Sequence, residues 1–204
     1  MRNLICLLVL VMMVSGCATV KRSHINPRML LHDNFPERVG VFPFTGQHPY
    51  AEQATDLFSM GLISIPYFTE VVERNKIGQV LQELGYQYSG FVDEKTITEL
   101  GKQLGLDAIF TGNIVTHKDM LFFNSKITIK LIDVKTGIIL WGCNAQDERA
   151  FAMVMALDIA TELAVKNALR DLKKDFKKIR KADSEIKDKI IEDKKKIEDK
   201  KENL

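Results

Sequence analysis

Four histidines and three cysteines hold most of the chemical reach of this 204-residue chain. Their spacing speaks against a metal or a catalytic centre. His24, His32, His48 and His117 are scattered, and none forms an HExxH pair or sits beside a CxxC, the spacings that close a metal shell. No GxSxG turn presents a serine nucleophile, and no glycine-rich loop ends in GK[ST]. Gly101-Lys102 falls inside a predicted helix without the earlier glycine. The acids in Glu73-Arg74 and Asp93-Glu94 sit at predicted helix starts, where carboxylates complement the dipole and cap free N–H groups. These residues predict a non-enzymatic protein with no cofactor and no metal.

The cysteines divide by position. Cys6 lies in an apolar run, Leu4 to Val14, behind the positive charge of Arg2. At about 1.5 Å per residue the run is too short for a ~30 Å hydrocarbon core, and its length suits the apolar region of an export signal. The stretch Val14-Ser15-Gly16-Cys17 resembles the lipobox of bacterial lipoproteins. That resemblance implies cleavage between Gly16 and Cys17, diacylglycerol on the Cys17 thiol, and acylation of the new amino group. Each buried methylene of such an anchor contributes about 0.8 kcal/mol, so several chains hold the protein on the membrane. By the same resemblance Ala18, where an Asp would favour the inner membrane, implies the periplasmic face of the outer membrane. Cys143 is then the one thiol left, which excludes an intramolecular disulfide. It follows Trp141-Gly142 and reads as a buried core thiol, with an intermolecular bridge as the alternative.

Composition bounds the rest. Lys and Arg total 29 against 27 Asp and Glu, a near balance that argues, with export, against nucleic-acid binding. Residues 17–37 read as a lipidated tether, interrupted by Asn26-Pro27 and Phe35-Pro36. A folded domain is expected over 38–172. Strands are predicted near 39–44, 67–72, 107–115, 127–134 and 138–143, the fourth from the alternation of Ile127, Ile129 and Leu131 with Thr128 and Lys130. Lys135-Thr136-Gly137 makes the hairpin turn.

Helices are predicted over 51–63 and along Ile77, Val80, Leu81 and Leu84, with Asn75 as N-cap and Gly85 as stop. Another follows Asp93 along Ile97, Leu100 and Leu104 to Gly105, and a last one starts at about Glu148. The fold class expected is mixed α/β (α+β): about five strands in a mixed sheet, flanked by helices, with a long charged C-terminal helix. From residue 173 the chain carries 13 Lys or Arg and 9 Asp or Glu. Leu172, Phe176, Ile179, Ile186, Ile190 and Ile197 share the a and d places of one heptad register, which Asp183, Asp193 and Lys200 interrupt. This tail, 173–204, reads as a solvated, charge-paired helix. The alternative is a weak coiled-coil arm pairing with its own copy or a partner.

An ordered series of segments carries a family resemblance. Val39–Phe44 (VGVFPF), Ala54–Phe58, Phe68–Arg74, Ile77–Gly90, Glu99–Gly105, Asp107–Gly112 (DAIFTG) and Asp133–Gly137 together resemble the curli-secretion lipoprotein (CsgG-type) superfamily. The resemblance implies a periplasmic α/β domain on a lipid anchor, in a family whose transporter members ring together and add membrane-spanning hairpins. A spanning strand needs about 9–11 residues. The segment between Ile114 and Ile127, and that after Trp141 up to a helix at Glu148, are too short for such hairpins, so a member without the pore is expected. The expected function is that of an accessory or assembly factor in envelope or curli-like biogenesis, acting on an envelope protein, with a homo-oligomer possible. Two alternatives stand beside it: an activator of a peptidoglycan-synthesising penicillin-binding protein, and a subunit of a curli-type secretion channel.

Overall fold

The computed structural model describes residues 21–31, 35–72, 74–83, 94–118, 122–150 and 156–202. The Gly16–Cys17 cleavage site, Glu73, Asp93, His32 and the Leu84-Gly85 helix stop lie outside the described residues. Seven strands form one mixed sheet: β1 (Lys21–Ile25), β2 (Arg38–Val41), β3 (Thr45–Gly46), β4 (Glu70–Val72), β5 (Ala108–Lys118), β6 (Phe122–Asp133) and β7 (Ile139–Ala150). Among the described residues a short 3-10 turn (Pro27–Leu31) and four α-helices accompany them: α1 (Tyr50–Ile63), α2 (Arg74–Glu83), α3 (Glu94–Gln103) and α4 (Ala156–Glu202). The order is β1-β7-β6-β5-β2-β4, with β3 pairing β5. β2 runs parallel to β4 and β5, while β1, β7, β6 and β5 form an antiparallel run. This is the mixed α+β class expected from the sequence.

Strand periodicity explains the two layers. In β6, Ile127, Ile129 and Leu131 are buried on one face, and Lys126 and Lys130 are exposed on the other. The buried face packs on α1 and α4 through Phe110, Ile114, Trp141, Phe58, Leu62, Val165 and their neighbours. On the opposite face a smaller cluster joins Ile109 and Val134 to Ile77 of α2 and Leu100 of α3. Asp107 ties the parallel strands together. Its Oδ2 accepts N–H groups of Glu37 and Arg38 at 3.0 and 2.9 Å, and its own N–H donates to the Arg38 carbonyl at 2.9 Å. Gly105, with φ +63°, stops α3 just before β5, as the sequence predicts; a left-handed residue of this kind favours glycine. Gly137, with φ +70°, closes the β6–β7 turn, and Asp133 Oδ1 accepts the Thr136 N–H at 2.6 Å.

Several boundaries differ from expectation. The first predicted strand, 39–44, ends early at Val41, because Pro43 has no N–H to donate to a ladder, and a separate short strand β3 starts at Thr45, outside it. The second contracts to Glu70–Val72, since Phe68 turns back with its N–H on the Ile65 carbonyl at 3.4 Å. The stretch read as a tether contains β1, which pairs with β7 from Lys21↔Ala145 to Ile25↔Trp141. Ladder hydrogen bonds use the backbone alone, so a polar run such as KRSHI gives little warning of them.

The hairpins are also longer than predicted. β5 and β6 are in register as far as Lys118↔Phe123, and β7 continues to Ala150, where a helix had been expected from Glu148. Residues 144–150 (NAQDERA) tolerate a helix, but pairing with β6 overrides that preference. The tail differs most. Leu172, Phe176 and Ile179, assigned above to a coiled-coil seam, are buried in this chain's own core. The solvated helix therefore begins well beyond residue 173.

Candidate functional site: the open sheet face

α2 and α3 cover only one end of their side of the sheet, around Ile109 and Val134. Beyond that end, the register sets out rows of polar side chains on a face that no described element covers. Thr111 lies opposite Lys130 and Asn113 opposite Thr128. Val115 faces Lys126, and His117 faces Asn124. β7 extends the rows with Asn144 beside Thr128 and Gln146 beside Lys126, and β1 adds Arg22 beside Asn144 and His24 beside Gly142. Arg22, His24, Asn113, His117, Lys126 and Lys130 are exposed. Asn113 is held in place: its Nδ2 donates to Thr45 Oγ1 at 2.8 Å. Val115, 56% exposed, sets one apolar spot among these groups.

Amides, hydroxyls and cations on a stiff antiparallel sheet suit contact with a polar or acidic protein surface. They offer no nucleophile with an adjacent base. Among the described residues no group of His, Cys, Asp and Glu could hold a metal. The described histidines stay apart: His24 and His117 lie on β1 and β5, and His48 pairs with Glu52 at 3.7 Å. Gly101-Lys102 lies in the last turn of α3. No described helix is long and apolar enough to cross a membrane.

The other notable polar group is internal. Trp141 is fully buried on β7, and its Nε1 donates to Asp175 Oδ2 of α4 at 3.1 Å. Beside it Cys143 is buried, as the sequence predicts. Burial above all, and then the charges of Asp171 and Asp175, push its thiol up to about 12. A thiol so protonated is a packing group rather than a nucleophile. Burial likewise raises the Asp171 carboxyl above its ordinary value, against the lowering pull of Arg170.

Sequence reading found Thr128 and Lys130 but missed Asn113, Asn124, Asn144 and Gln146. The signal was present in TGNIVTHK, where every second residue from Thr111 to His117 belongs to this face.

The fold and the face together define a small α+β domain with one polar sheet surface that no described element covers. Residues 45–146 match the family model described as peptidoglycan-synthase activator LpoB, and the chain belongs to that family. No curated protein matches the chain. Among solved structures, the PelC dodecamer of Paraburkholderia phytofirmans is similar at 14% identity and TM-score 0.50, covering 74% of this chain and 94% of that one. Lipoprotein GNA1162 of Neisseria meningitidis is similar at 16% identity and TM-score 0.50, covering 67% and 99%. The LpoB C-terminal domain of Escherichia coli matches at 17% identity and TM-score 0.46, covering 58% and 89%.

The family match corrects the curli-secretion (CsgG-type) assignment made from sequence segments. Those segments fall largely on framework. Val39–Phe44 surrounds the end of β2, Asp107–Gly112 opens β5, and Asp133–Gly137 is the β6–β7 turn. Such pieces report a sheet's construction more than a lineage.

Proposed function

We propose that this protein is an outer-membrane lipoprotein that activates a peptidoglycan synthase from the periplasmic side, by docking its open sheet face on that enzyme. Membership of the LpoB family carries the reading. Lipidation of Cys17, after cleavage behind Gly16, holds the domain at the membrane. The partner is a penicillin-binding protein, and this chain contributes no catalytic group. Activation by a binding protein requires tighter binding to the active form of the synthase than to the resting one; that difference sets the stimulation. The face supplies Lys126, Lys130 and Arg22 for acidic groups, and Asn113, Asn144 and Gln146 for backbone and polar ones.

The test is glycan polymerisation by a purified penicillin-binding protein from the same cell, with and without this protein. Stimulation by the native chain is expected. Lys126→Glu with Lys130→Glu should lower it about tenfold or more, since charge reversal at an interface opposes docking, while the melting temperature stays unchanged. Binding without stimulation, or stimulation indifferent to the double variant, would overturn the activator reading and the assignment of the face, respectively.

A further inference from the structure

The family match ends at residue 146, and α4 runs on to Glu202. Its heptad stripe has two parts. Leu172, Phe176 and Ile179 are buried in the chain's own core, whereas Ile186, next in line after Asp183, is 47% exposed. The register continues through Ile190, Asp193, Ile197 and Lys200. At Ile186 the stripe leaves the surface it packs on, and α4 continues as helix over 184–202, about 28 Å at about 1.5 Å per residue.

Charge beside this seam is one-sided. With Phe176 at an a position, the e and g positions of the arm are Lys187, Lys189, Lys194, Lys196 and Lys201. The acids Glu185, Asp188, Glu192, Glu198 and Asp199 take b, c and f positions. Overall charge conceals the pattern because the two signs nearly cancel. In a coiled coil of identical arms, e and g positions meet e or g positions of the copy in either orientation, so lysine would meet lysine. From Asp183 to Lys200 only Ile186, Ile190 and Ile197 are apolar among the seam positions, too few to override that repulsion. Asp193 on the seam also opposes burial in hydrocarbon, unlike the unbroken apolar face of an interfacial helix.

We propose that the arm is a docking helix for a partner protein's helix with acidic e and g positions. This contact lies apart from the sheet face and does not rest on the synthase reading. The test uses the full-length chain purified in detergent and two labelled three-heptad peptides, alike in their Ile and Leu seam, one with Glu and one with Lys at e and g. The Glu peptide is expected to bind at least about tenfold more tightly, with affinity falling as salt rises. Reversing Lys187, Lys189, Lys194, Lys196 and Lys201 to Glu should invert the preference. Deleting 184–204 should abolish binding with the melting midpoint unchanged. Equal binding of the two peptides, or none, would overturn the proposal. So would arm-dependent dimerisation in sedimentation, or arm-dependent binding to anionic phospholipid vesicles without peptide discrimination.

Discussion

Replacing Phe176 with alanine tests where the domain ends and the arm begins. Phe176 is fully buried. Its ring lies 4.8 Å from that of Phe35, 5.5 Å from Phe68 and 6.2 Å from Tyr67, centroid to centroid. Removing a buried phenylalanine costs about 3–5 kcal/mol, through lost transfer energy and the cavity left behind. Against a native stability of about 5–15 kcal/mol that is a large share. With urea slopes of about 1–3 kcal/mol per molar, the unfolding midpoint of Phe176→Ala should fall by roughly 2 M. Ile186→Ala, two turns or more farther along α4 and half exposed, should stay within about 0.5 kcal/mol of the native chain. The assay is urea unfolding followed by far-UV circular dichroism and by Trp141 fluorescence. Equal and small shifts for the two variants would mean that α4 leaves the core before Phe176 and that the charged tail is solvated from residue 173.

Three further outcomes are expected. Asp175→Leu leaves the Trp141 N–H unpaired in the core and should cost about 1–3 kcal/mol, whereas Asp175→Asn keeps an acceptor and should be near neutral in the same urea assay. Cys143 should resist iodoacetamide in the native protein and react once unfolded. Because its native thiol is pushed up to about 12 from an ordinary 9.0, its stabilising effect is complete below pH 9 and is lost as pH rises towards 12, where the unfolded chain has already released the proton. Urea midpoints should therefore decline less steeply with alkaline pH in Cys143→Ala than in the native chain. Cys17→Ser should abolish incorporation of labelled palmitate and release the protein from the membrane fraction; continued labelling would place the lipid elsewhere.

How much of this was legible in the sequence depends on which force decides each element. Where side-chain burial decides, reading worked: the alternation of Ile127, Ile129 and Leu131, the stop at Gly105 and the turn at Gly137 all stand in the fold. Where backbone pairing decides, it did not. β1 and the outer half of β7 are polar, and only ladder pairing, β1 with β7 and β7 with β6, makes them strands. The tail misled for a different reason. Leu172, Phe176 and Ile179 fit a heptad because any helix that packs along one stripe does, whether the surface beneath is a second helix or the chain's own sheet. The open face was half visible, in Lys130 and Thr128, because exposed polar residues on a strand look alike until the neighbouring strands are placed beside them.

The pairing of β1 with β7 would also set the length of a leash running from a lipid on Cys17. A free segment from Cys17 to residue 37 would let the domain roam about 70 Å from its lipid, at no more than about 3.6 Å per residue. With Lys21 already in the sheet, four residue steps separate it from Cys17, a reach of about 14 Å. A domain lipidated at Cys17 would thus ride close to the bilayer with its β1 edge turned towards it. An enzyme rooted in the opposite membrane would then have to cross most of the gap itself to reach the open sheet face.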